Sequence, residues 1–87
     1  MDKVDAPSLL HAMESSLRTN VGPVGSLILR KKWRDIVPPS ASKVGTDEVR
    51  ALVYELGAAL SIVMGDLGAS KAMDALKVDL GRLGMPA

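Results

Sequence analysis

Apolar positions recur along the chain at helical spacing, and they are densest between residues 46 and 67. Val49, Leu52, Val53, Leu56, Leu60, Val63, Met64 and Leu67 follow the i, i+3, i+4, i+7 rule of an amphipathic helix. At about 100° per residue they occupy one stripe roughly 120° wide, the width of a core-facing surface. Thr46 stands where an N-cap belongs, and Asp47 and Glu48 put negative charge in the first turn, where the helix dipole favours it. Gly65 and Gly68 weaken the far end, with Gly68 placed to serve as a C-cap. Glu48, Glu55 and Asp66 form one acidic edge, and most of the remainder is Ala, Gly and Ser. A segment with so little to show water is expected at the centre of the molecule.

Three further segments read as helices. Asp5 followed by Pro7 is a helix start, and Ala6, Leu10, Met13, Leu17 and Val21 line one face with Leu9 at its margin, which predicts a helix over 6–19. The turn NVGPVGS, residues 20–26, ends it. Val24, Leu27, Ile28, Leu29, Trp33, Ile36 and Val37 then admit a helix over 24–37, or a strand in which Leu27, Leu29 and Trp33 share a side. The helix is preferred, because Lys31 and Asp35 can pair at i, i+4 and no partner strand is evident. Pro38-Pro39 ends that element, and residues 38–45 form a Pro/Ser linker. Ser70 can cap a last helix over 70–83, in which Met73, Leu76, Leu80 and Leu83 form a short seam before the Gly84–Pro86 stop. The expected fold is all-α: one domain over 1–87, a small bundle or open array of about four helices (6–19, 24–37, 46–67 and 70–83). The last two lie close enough in sequence to merge into one long bent helix.

Composition narrows the chemistry. The chain has 87 residues, 47% of them hydrophobic, with no Phe, one Trp and one Tyr. Its core must therefore be aliphatic, and pairing with a second copy would supplement it. The absence of Cys removes disulfides, zinc-thiolate sites and thiol catalysis. No cofactor, metal or catalytic set is expected, since the single His11 has only Glu14 and Ser15 at helical spacing and no acid-base pair is evident. MDKVDAPSLL lacks the apolar run of a secretory signal, and Leu56–Gly65, the longest uncharged stretch of the central segment, is far short of the ~20 residues that span a bilayer. The expectation is a cytoplasmic protein without a membrane partner, and the Cys-free, Ala/Gly/Val-rich composition suits a bacterial or phage setting.

Charge adds one feature. The formal net charge is +1, yet Arg30, Lys31, Lys32 and Arg34 cluster around Trp33. Four cations beside an indole can hold phosphates while the ring stacks on a base. On a helix, however, those residues point in several directions, and a solvated helix end with Trp33 packed on the Leu52/Leu56/Leu60 stripe accounts for them better. Gly22 and Gly25 bracket Pro-Val with no cation between them, and read as a turn rather than an anion-binding loop.

The remaining signal is a ridge of small residues, Gly57, Ser61 and Gly65, beside the apolar stripe. Helix-interior Gly costs about 1 kcal/mol against Ala, so close approach of another helix is its most direct reason. With Tyr54 and Ala58 beside them, these residues are the expected contact surface for a second copy. The functional expectation is a non-catalytic protein-interaction module, an adaptor, regulator or inhibitor that binds another protein and forms a homodimer. The alternative is a small nucleic-acid-binding regulator using Arg30, Lys31, Lys32 and Arg34.

Overall fold

In the computed structural model, which describes residues 3–84, the chain runs β1 (Lys3–Asp5), α1 (Ala6–Asn20), α2 (Pro23–Ile36), β2 (Lys43–Gly45) and α3 (Thr46–Arg82). The architecture is all-α, with three helices rather than four. The expected break at residues 68–69 is helical.

α1 begins as its sequence dictates. Asp5 accepts hydrogen bonds from the Ser8 backbone N–H at 3.2 Å and from the Ser8 hydroxyl at 2.9 Å. Its inner face is Ala6, Leu9, Met13, Ser16 and Leu17, so Leu9 is central and not marginal, while Leu10 is half-buried. Gly22, at φ 103° and ψ −163°, turns the chain in a conformation that is essentially glycine's alone. Pro23 then opens α2, which excludes a strand there. Gly25 lets the two helices meet: a Cβ at that position would lie 3.0 Å from Val21 Cβ and 3.2 Å from Leu17 Cβ. Leu29 is fully buried, and Ile28, Trp33 and Ile36 pack half-buried on the same core. Among the described residues Lys31 and Asp35 form no ion pair; Lys32 reaches an acid instead, Glu55, at 3.4 Å.

Residues 38–45 are not all linker. β2 pairs antiparallel with β1, with Val4 opposite Val44, and the Ala6 N–H donates to the Ser42 carbonyl at 2.9 Å. Strands of three residues are too short for alternation to reveal. They tie the start of α1 to the start of α3 and seal Val44 completely. α3 is capped one residue earlier than expected: Gly45 is the N-cap, and its N–H donates to Glu48 at 2.8 Å.

α3 decides the shape. Its 37 residues would extend about 55 Å as a straight helix, yet the longest dimension of the molecule is 33 Å. Gly65, at φ 82° and ψ 161°, breaks it into two limbs, again in a glycine-only conformation. The reason lies in the sequence. On the first limb Val49, Leu52, Leu56 and Leu60 are fully buried; on the second, Ala69, Ala72, Met73, Leu76 and Leu80 are buried. At 100° per residue these two faces lie about 150° apart on a straight cylinder. Reversal at Gly65 brings both onto the one core formed with Leu9, Met13, Leu17 and Leu29. The turn also cuts the apolar stripe short, leaving Val63, Met64 and Leu67 exposed, and Leu83 is likewise exposed beyond the end of the second-limb seam.

Candidate interaction surface

The two limbs of α3 enclose an open groove of about 590 Å³. Arg50, Val53, Tyr54, Gly57, Ala58 and Ser61 form its first wall; Asp66, Ala69, Ser70, Met73 and Lys77 form the second. Four of the five residues expected at an interface, Tyr54, Gly57, Ala58 and Ser61, thus lie together on one wall. Their role differs from the expectation in one respect. Gly57 admits the second limb of its own α3, with Met73 Cγ 3.7 Å from where its Cβ would be. The fifth, Gly65, is the hinge and not a ridge position. Val53, Gly57, Ala69 and Met73 make part of its lining apolar, and Arg50, Asp66 and Lys77 are its charged groups. Tyr54 stands 73% exposed beside it.

At the end of this groove the hairpin tip is apolar and uncovered. Ile62 is 87% exposed, Leu67 73% and Val63 57%, with Met64 beside them. Four large apolar side chains are exposed within six residues at the turn, a local concentration, whereas scattered surface apolar residues need no explanation. Sequence reasoning placed Val63, Met64 and Leu67 in the core because the stripe is continuous on a straight helix. It passed over Ile62, which lies off that stripe.

The chain matches no protein-family model, no curated protein and no solved structure.

The basic cluster disperses in three dimensions. Arg30 reaches across to α1, where its Nε and Nη2 donate to Glu14 at 3.0 and 2.7 Å. Arg18 joins the same carboxylate at 3.5 Å. Lys32 turns the other way, to Glu55 on the first limb of α3. Lys31 and Arg34 remain exposed. Trp33 is half-buried against the core, with Leu10, Arg34, Val37 and Pro38 around the shallow hollow beside it. The acidic edge is likewise divided: Glu48 caps α3, Glu55 holds Lys32, and Asp66 lies at the groove. His11 is exposed in a second open groove, shared with Ser15, Asp79 and Arg82.

α3 is long and apolar enough to cross a membrane by length and composition. The break at Gly65 divides that length, and the groove walls carry Arg50, Asp66 and Lys77.

Proposed function

We propose that this chain is a non-catalytic protein-interaction module that acts by self-association and by occupying another protein, in the cytoplasm, with α3 as the contact element. The uncovered Ile62/Val63/Met64/Leu67 tip carries the reading. The monomer leaves these apolar side chains in water at the turn that joins the two walls of the groove, the first of which carries Tyr54, Gly57, Ala58 and Ser61. Nucleic-acid binding is the weaker reading, since Arg30 and Lys32 are committed to Glu14 and Glu55 on opposite sides of α2.

The test is the solution mass of the wild-type chain and of the Ile62→Lys/Leu67→Lys variant across a concentration series. The wild type should associate at micromolar concentration, and the variant should stay monomeric with unchanged helicity, because both side chains are exposed. A wild type that remains monomeric throughout, and that binds no protein through this tip, would overturn the reading. Submicromolar duplex binding at physiological salt, lost on replacing Arg30, Lys31 and Lys32 by Glu, would put the nucleic-acid reading in its place.

A further inference from the structure

We propose that α3 has a second, open form, in which Gly65 takes helical dihedrals and two copies of the chain exchange residues 66–82. The second limb of each then packs on the core of the other. This inference rests on the self-association proposed above and specifies its geometry.

Three observations support it. The whole reversal is carried by one residue: helix precedes and follows Gly65, and only Gly65 departs from helical dihedrals. Short hinges of this kind are where exchange of elements between copies arises, because a small backbone change converts a hairpin into one continuous helix. Next, the two apolar faces of α3 lie on roughly opposite sides of a straight cylinder. A straight α3 cannot bury both in one core, but it can serve two cores, one at each end. The occupant is therefore fixed. The surface vacated by Ala69, Ala72, Met73, Leu76 and Leu80 fits those side chains, and the second copy presents the same ones. Every limb-to-core contact of the monomer is regained. Finally, the residues flanking the hinge, Ile62, Val63, Met64 and Leu67, are those the closed form leaves exposed. In the open pair the two hinges meet, and these apolar residues gather where the copies cross.

The chain has no cysteine, so one engineered thiol pair reports which chains are joined. Positions 57 and 73 suit it, with Met73 Cγ 3.7 Å from an added Cβ at Gly57. The G57C/M73C variant is refolded from urea at low and at high concentration, separated by size, oxidised and run without reductant. The expected result is bridges within single chains in the monomer fraction and covalently joined chains in the dimer fraction. Adding G65A should tighten dimerisation roughly a hundredfold or more, since a Cβ disfavours the closed turn in both copies and Ala favours the continuous helix. Helicity should be retained. A dimer fraction whose bridges lie only within chains leaves self-association standing and overturns the exchange. So does a G65A chain that is folded and monomeric. If G65A fails to fold, the Gly65 background decides: no covalent dimer after refolding at high concentration overturns the proposal.

Discussion

Gly57 and Met73 face each other across the two limbs of α3, although they lie sixteen positions apart: a Cβ at position 57 would lie 3.7 Å from Met73 Cγ. On a straight helix that interval is about 24 Å. Their approach is a product of the turn at Gly65, and it leaves room for a methyl group at ordinary van der Waals distance. Gly57→Ala is therefore expected to stabilise the chain by about 0.5–1 kcal/mol, through helix propensity and a less flexible unfolded state. Gly57→Leu must push into Met73 and should cost about 1–3 kcal/mol. Urea unfolding of the two variants reads both signs. Equal destabilisation by Ala and Leu would show that the limbs meet more tightly than the distance implies.

The apolar stripe of α3 is uniform in sequence and divided in the fold, which makes it testable residue by residue. Leu60 is fully buried and Leu67 is 73% exposed. Leu60→Ala should cost about 2–5 kcal/mol, as large-to-small changes in an aliphatic core do. Leu67→Ala should change stability by no more than about 0.5 kcal/mol. Chemical denaturation of the pair at a concentration where the chain is monomeric distinguishes them. A large loss at Leu67 would mean that the tip is covered.

That division marks where the sequence stopped being legible. The buried halves of α1 and α3 could be read directly, because Met13, Leu17, Leu52, Leu56 and Leu60 repeat at a spacing only a helix satisfies. The same periodicity put Tyr54, Gly57, Ala58 and Ser61 on one side of the helix, and they line one wall of the groove. Three features escaped. Periodicity says nothing of a single residue that leaves the helical region, so Gly65 read as a ridge position when it is a turn, and Val63, Met64 and Leu67 were assigned to the core. Pairing of β1 with β2 spans forty residues of chain with only Val4 and Val44 to signal it. Charge spacing along α2 gave Lys31 a partner in Asp35, whereas Arg30 and Lys32 found theirs on other helices.

Two hydroxyls lie in the core without hydrogen-bond partners, Ser16 on α1 and Ser26 on α2. Burying an unpaired hydroxyl is unfavourable, and Ala is also the better helix former. Ser16→Ala and Ser26→Ala are each expected to raise stability by about 0.5–1 kcal/mol, measured by thermal and urea unfolding. A loss of more than about 1 kcal/mol at either position would show that its hydroxyl is satisfied in solution.

The start of α1 makes stability depend on pH. The Ser8 hydroxyl and then the Ser8 backbone N–H, both donating to Asp5, hold its carboxyl below the usual aspartate range, with Lys43 adding a smaller attraction. The folded value is thus depressed relative to the unfolded chain. The stabilisation is fully present above the unfolded aspartate value of about 3.9 and is lost as pH falls through the folded one. Melting temperature followed by circular dichroism from about pH 7 to about pH 3 should fall on the acid side for the wild type. Asp5→Asn keeps an N-cap acceptor without the charge, so it should retain much of the stability at neutral pH and show a flatter acid limb. Asp5→Ala loses both, and its deficit against the wild type should be largest at neutral pH and shrink as the wild-type carboxylate takes up its proton. A deficit that stays constant down to acid pH would show that the Asp5 contribution is geometric and does not depend on its charge.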